Sequence, residues 1–351
     1  MNHRVAMPFT LSVAPMLDWT DRHCRYFHRL LSRRAVLYTE MVHANALIHG
    51  PQKEWQDVAT YEEPVVLQLG GSEPHMLAQA ARLGAQWGYS AINLNCGCPS
   101  PRVQKGAFGA CLMQTPDLVA KVIEAMQTAV IHARPTGGHV PEITVKHRIG
   151  LGREEDEALV RQFVEIVSQA GCKTFIVHAR NAWLEGLSPK ENRHVPPLRY
   201  EVVYRLQQDL PQFNFILNGG IRTFTQVSEI AANHPLLSGL MVGRWAYEDP
   251  WSLSRWDAFL SPPEPNLHPG ARSEMTREAI EQAMVSYMQQ QAQQQGISWR
   301  TIARPMLGLY KGQPGARAWR QIWSDHQLQN QSPQLVSALA QQALKKEARF
   351  Q

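Results

Sequence analysis

Nowhere does this chain carry a run of the roughly 18 to 20 apolar residues that crosses a bilayer. The N-terminal MNHRVAMPFTLSVAPM lacks a secretory layout, because Pro8 and Pro15 break its apolar stretch. A cytoplasmic protein without membrane attachment is the expectation. Cysteine is scarce and odd in number: Cys24, Cys96, Cys98, Cys111 and Cys172. That argues against a disulfide framework, and the absence of any C-x-x-C pair argues against a structural zinc site. No early G-x-G-x-x-G follows a strand, which disfavours a Rossmann domain. Acidic residues are missing from Gln282 to Ser324, where Arg300, Arg304, Lys311, Arg317 and Arg320 interleave with Trp299, Tyr310, Trp319 and Trp323. Guanidinium groups for phosphates with aromatics for bases suit an RNA face; a solvated helix surface over a tryptophan core suits the same residues equally well.

What is present is ordinary globular material. The 351 residues are 44% hydrophobic and 19% charged, enough for one large domain and a smaller one. The formal charge of +5 is by itself a weak pointer to a polyanionic partner. Eight short Val/Ile/Leu-rich segments read as strands covered on both faces: Ser12–Met16, Val36–Met41, Val65–Leu69, Ala91–Asn95, Ile143–Arg148, Thr174–His178, Phe213–Asn218 and Gly239–Gly243. Helix signals separate them. Ser72-Glu73-Pro74 opens one stopped by Gly88, Thr115-Pro116-Asp117 opens the next, Glu154–Ala170 ends at Gly171, and Thr223–Ala232 follows the seventh strand. This repeat predicts a (β/α)₈ barrel of the α/β class. Two longer loops, one holding Cys98–Met113 and one Ala179–Pro197, follow the fourth and sixth strands, where barrel enzymes build their sites. The proline-rich stretch 261–270 reads as a linker, dividing a catalytic domain over 1–260 from a helical bundle over 261–351. Bundle helices are expected near Ser273–Gln295, Ser298–Tyr310, Gly315–Ser324 and Ser332–Ala348, with QQQAQQQG an exposed helix end.

The predicted strand ends carry Met16, Glu40, Gln68, Asn95, Lys146, His178, Asn218 and Gly243. Burying so many polar groups unsatisfied costs about 1–3 kcal/mol each, which favours a bound ligand as their partner. Alternation puts Thr144, Lys146 and Arg148 on one face, and Asn93 with Asn95 on another. Asn218-Gly219-Gly220 and Gly243-Arg244 follow the last two strands, where barrels often hold a phosphate; each alone reads more readily as a tight turn, and the two together favour phosphate. Lys146 suits the ring edge of a reduced flavin, with His178 beside ring or phosphate. As isolated residues these read as a snorkelling lysine and a core histidine. Cys98 is the candidate proton donor, since a thiol is mostly protonated at neutral pH. Cys24, Cys111 and Cys172 read as small buried hydrophobes, whereas Cys96, two residues from Cys98, is placed to substitute for it or to interfere.

These segments together resemble the tRNA-dihydrouridine synthases. The resemblance rests on SVAPMLDWTDRHCR (12–25), LYTEMV (37–42), LQLGG (67–71), INLNCGCPSPRVQKGAFGACLM (92–113), VKHRIG (145–150), HARNAWLEGLSPKENR (178–193), NGGI (218–221) and MVGRWAY (241–247). SPKENR and GLYKGQPGARAWR (308–320) resemble the A subgroup, which acts on uridines 20 and 20a of the D-loop. The resemblance implies an FMN barrel followed by a helical tRNA-binding domain, with NADPH as reductant, tRNA as partner and no stable protein partner. It implies FMN contacts at Pro15, Met16, Leu17, Gln68, Lys146, His178, Asn218, Gly219, Gly220, Gly243 and Arg244. Cys98 matches the catalytic proton donor, Asn95 a contact to the uridine, and Lys190, Arg193 and Arg304 contacts to tRNA. The sequence departs from the family pattern at Cys96, where a small apolar residue is commoner; an oxidation-sensitive site is the expectation there. An FMN barrel reducing a small pyrimidine, and an RNA chaperone without flavin, are the rival readings.

Overall fold

The computed structural model describes residues 9–56, 63–133, 138–154, 156–260 and 275–348. The expected linker over 261–270 lies outside the described residues, as does the start of the helix expected from Ser273. Eight strands form one parallel sheet: β1 (Thr10–Val13), β2 (Leu37–His43), β3 (Val65–Gly70), β4 (Ala91–Cys96), β5 (Glu142–Arg148), β6 (Thr174–His178), β7 (Asn214–Asn218) and β8 (Gly239–Val242). Their spatial order is β1-β8-β7-β6-β5-β4-β3-β2. A parallel bridge between Ser12 and Val36, with Val13 N–H donating to Val36 O and Val36 N–H to Leu11 O, joins the two ends of the sheet. The expected (β/α)₈ barrel is therefore the fold, with helices between successive strands.

All eight expected strands exist. β3 and β8 are buried along their whole length, as the unbroken apolar runs require of strands covered on both faces. β1 stops earlier than its apolar pattern suggests. Ala14 N–H makes a last bond to Val242 O, and Pro15 has no N–H with which to continue the ladder. β2 runs on to His43 but contains a register shift between Tyr38 and Met41. Within that bulge Thr39 Oγ1 accepts from Gln68 N–H at 3.0 Å and donates to Glu40 O at 2.7 Å, replacing the missing ladder bond.

The helices form where the capping chemistry places them. Pro74–Gln86 and Pro116–Ile131 begin with proline at the first turn, and Thr223 caps Phe224–Asn233 in a reciprocal capping box with Gln226. Gly84 lets its helix approach the sheet closely: a Cβ there would lie 2.7 Å from Leu67 Cδ2 and 3.2 Å from Ile92 Cδ1. Inside the barrel, Ala14, Tyr38, Val66, Ile176, Ile216 and Met241 form an apolar cluster.

The chain divides into two units. Met1–Asp18 with Val36–Gly243 contains every strand, and Trp19–Ala35 with Arg244–Gln351 is helical. The helix Arg22–Leu31, between β1 and β2 in sequence, thus groups with the C-terminal helices. Tyr26 stacks on Tyr287 of Arg277–Gln295 with ring centroids 3.9 Å apart, and His23 Nδ1 lies 2.9 Å from Tyr287 Oη.

In the helical unit the tryptophans are core. Trp299, Trp319 and Trp323 are buried, as is Tyr310, and Trp319 and Trp323 donate from Nε1 to opposite oxygens of Glu281 at 3.0 and 3.2 Å. Ser337 and Gln341 donate to the same carboxylate. This corrects the idea that these aromatics face bases: Trp319 and Trp323 close on one buried carboxylate and Trp299 donates to Gln331 O, while Arg304, Lys311, Arg317 and Arg320 of that stretch are exposed. Among the described residues no helix is long and apolar enough to cross a membrane.

Candidate active site

Strand register brings the polar residues together. Gln68 pairs with Asn93, Asn93 with Thr144, and Asn95 with Lys146 in the parallel ladders. Gln68 Nε2 donates to Asn93 Oδ1 at 2.7 Å, and Asn93 Nδ2 to Thr144 Oγ1 at 2.9 Å. Asn95 Nδ2 donates to Gln68 Oε1 at 2.9 Å. On the next strands Lys146 Nζ donates to Asn218 Oδ1 at 3.0 Å, and Asn218 Nδ2 to Met241 O at 2.8 Å. Much of the expected cost of buried polar groups is thus met inside the protein. The inference from that cost to a ligand is weaker than the sequence suggested, because neighbouring strands in register supply the partners.

Cys98 sits just beyond β4 in a turn that Asn95 closes. Asn95 Oδ1 accepts from Gly97 N–H at 3.1 Å and Cys98 N–H at 3.0 Å. Cys98 O in turn accepts from Ala110 N–H at 2.9 Å. Gly109 makes that approach possible: its φ is +75°, and a Cβ there would lie 2.6 Å from Cys98 O. Cys98 is half-buried, whereas Cys96 is wholly buried on the opposite face of β4 with Ile92 and Leu94. Burial pushes the Cys96 thiol well above its ordinary range. The expected oxidation sensitivity at Cys96 is therefore not supported, since a buried thiol is neither exposed nor ionised. Cys111 is half-buried rather than core, with its thiol donating to Phe108 O.

Cations converge on this end of the barrel. Burial, reinforced by Arg148, holds Lys146 down to about 7. Burial also lowers Arg148 to about 10, with the like charges of Arg180 and Arg193 adding to it. His178 lies well below its ordinary value, first from burial and then from Arg148, Lys146, Arg180 and Arg193. A thiolate at Cys98 would act in the other direction on both Lys146 and Arg148. No carboxylate is among the groups that set these values. A half-buried lysine and a neutral histidine among arginines form a site short of negative charge.

Such a site fits FMN. A phosphate and an electron-rich ring edge would supply the missing anion. Gly219 and Gly220 have φ of +118° and +68°; a Cβ on Gly219 would lie 2.8 Å from His178 Cδ2 and one on Gly220 2.3 Å from Leu198 Cδ1. Tyr200 Oη donates to Gly219 O at 2.5 Å and fixes the turn. Around Gly243 the nearest atom to an added Cβ is Met16 Sδ at 3.7 Å, which leaves room. Pro15 and the exposed Leu17 follow β1, and Glu40 accepts from Asp18 N–H to hold that segment. Arg244 opens the helix Arg244–Glu248 of the other unit.

The loop after β6 carries exposed Lys190 and Arg193. Between them Asn192 is fully buried; its Nδ2 donates to Trp183 O at 2.9 Å and its Oδ1 accepts from Trp183 N–H at 2.8 Å. Arg304 is exposed in the helical unit and lines a cavity of about 540 Å³ with Arg300, Trp323, His326 and Gln329. Sequence reasoning assigned no role to Asn192 or Tyr200, whose partners are distant main-chain groups. It placed Asn93 and Arg148 on the site's face without assigning them a task, and alternation was the signal that could have found them.

A parallel barrel with amides, cations and a thiol at its strand ends is the architecture of a barrel enzyme. Residues 12–349 match the dihydrouridine synthase (Dus) family, and the chain belongs to that family. Membership makes it an oxidoreductase that forms dihydrouridine. Among curated relatives, a tRNA-dihydrouridine(20/20a) synthase of Xanthomonas axonopodis pv. citri is 50% identical, over 92% of this chain and 90% of its own. Proteins of the same name from Synechocystis sp. and Shewanella oneidensis are 47% and 46% identical, over 94% and 95% of this chain and 93% and 94% of theirs.

Proposed function

We propose that the protein reduces uridine to 5,6-dihydrouridine in the D-loop of tRNA, at positions 20 and 20a, with FMN as cofactor and NADPH as reductant. The observation that carries this is the identity to relatives of that name along nearly the whole of both chains. The anion-poor strand ends support the cofactor.

In this reading Pro15, Met16, Leu17, Gln68, Lys146, His178, Asn218, Gly219, Gly220, Gly243 and Arg244 would hold FMN, which when bound would supply the hydride that uracil C6 accepts. Cys98 delivers the proton to C5 from the opposite face. Asn95 sets the height of that thiol by holding the N–H groups of Gly97 and Cys98. Its remaining amide hydrogen is available to the uracil. Lys146 stabilises the thiolate left after proton transfer. The target nucleotide leaves its stack to reach the barrel mouth. Lys190 and Arg193 of the strand-bearing unit and Arg304 of the helical unit bind tRNA phosphates.

The test is the visible spectrum of the purified protein. Flavin bands bleached by NADPH and restored, without oxygen, by unmodified tRNA are expected. Restoration by free uridine but not by tRNA would move the assignment to a small-pyrimidine reductase. A protein that cannot be reconstituted with FMN would remove the cofactor reading.

A further inference from the structure

Arg148 ends β5, the strand between β4 and β6 in the sheet. From there one side chain can reach the loops that follow both neighbours. It does: Nε donates to Gly97 O at 3.1 Å, and Nη1 donates to Asn181 O at 3.2 Å and Asn192 O at 3.0 Å. Gly97 precedes the thiol residue. Asn192 lies between Lys190 and Arg193 and folds its own loop through Trp183.

We propose that Arg148 is a positioning residue that couples the loop carrying Lys190 and Arg193 to the position of Cys98. The link is short: Asn192 carbonyl, guanidinium, Gly97 carbonyl, and then the Cys98 peptide. Only arginine makes it, because its planar fork sends donors in fixed, divergent directions, whereas a lysine donates from one point. Arg148 is 3% exposed and its three partners are main-chain carbonyls. A buried cation with no carboxylate partner costs more than an apolar filler of the same size, so its presence points to a need for fixed geometry. A tRNA engaging Lys190 and Arg193 thereby sets the acid as it docks. Asn181, which shares Nη1 with Asn192 and whose Nδ2 donates to Glu154 O at 2.7 Å and Gly152 O at 3.3 Å, ties that nitrogen to the loop after β5.

The consequence for catalysis rests on the tRNA reading, but the coupling can be read without turnover. The experiment is a double-mutant cycle on the flavin-loaded protein, following alkylation of Cys98 by iodoacetamide with peptide mass spectrometry. Arg148→Lys, which keeps the charge, and Asn192→Ala are each expected to raise the Cys98 rate by about threefold or more, and the double variant to react no faster than the faster single. Arg148→Met serves as a second arginine variant should Arg148→Lys fail to hold flavin. Multiplicative effects in the double variant, or an unchanged Cys98 rate in the arginine variant, would overturn the proposal. With tRNA, Arg148→Lys is expected to lower kcat by about tenfold while KM stays within about twofold, as misplacement of a reacting group predicts. A coupled cycle in a protein inert toward tRNA would leave the coupling standing and remove the dihydrouridine reading. Independent rates in an active enzyme would do the reverse.

Discussion

The barrel and the helical unit each bury ionisable groups, and they treat them in opposite ways. Glu281 is enclosed by donors from Trp319, Trp323, Ser337 and Gln341, so its carboxylate oxygens are saturated by its own fold. Lys146 has one amide partner, Asn218, and cations around it. A saturated buried charge is a structural centre. A charge left short of its complement at a strand end is a candidate binding site.

That comparison can be broken, most severely, at Cys98. Cys98→Ala is expected to slow tRNA reduction by about 10²- to 10⁴-fold while leaving flavin bound, measured as single-turnover oxidation of the reduced enzyme by unmodified tRNA. A normal rate would remove the acid assignment and with it the functional meaning of this end of the barrel. Next is Glu281→Leu. It leaves the indole N–H groups without their acceptor and should cost the helical unit about 3 kcal/mol in denaturant unfolding. The FMN spectrum should not change; loss of flavin instead would erase the distinction between the two kinds of buried charge.

Lys146→Met should weaken FMN binding by about 10- to 100-fold, the range for a hydrogen bond to a charged group. Its pH dependence sharpens the contrast. In the barrel Lys146 is held down to about 7, below the ordinary lysine value of 10.5. Between those values the unfolded chain binds the extra proton, so this group's contribution raises stability as pH rises through that window. An anionic ligand favours the charged amine and pulls its pKa back up. FMN binding above pH 7 should therefore take up protons, and affinity should fall as pH rises. Calorimetry in two buffers of different ionisation enthalpy measures this, and equal heats in the two buffers would contradict it. The smallest expected effect is at the surface. Arg304→Ala should weaken tRNA binding similarly for all tRNA sequences and reduce the slope of log affinity against log salt by about 1, read by filter binding over a salt series.

The barrel was legible because its strands are buried on both faces and its helices carry local stop and start signals. VVLQLG could be placed without any knowledge of its neighbours. Errors fell where a neighbour decided. β1 ended early because pairing with β8 gives out at Ala14, and β2 bulged because Thr39 bonds Gln68 across the sheet. Cys96 and Cys98 look alike in NLNCGC, yet strand alternation buries one while the turn closed by Asn95 presents the other. In the tail, tryptophans spaced among arginines read equally as an RNA face or a core. Glu281, upstream in the chain, settled the matter by drawing the N–H groups of Trp319 and Trp323 inward.

By itself the sequence determined the repeat of strands and helices, the order of the strand-end residues, and the family. All of these follow from periodicity, local capping and contiguous motifs, which need no long-range contact. Only the tertiary structure decided which polar groups are satisfied by one another and which remain open. It alone showed that one guanidinium spans the loops after β4 and β6. Hydrogen-bond partners such as Arg148 with Gly97 and Asn192 are 51 and 44 residues apart in the chain, and nothing in the local pattern of either segment records that they meet.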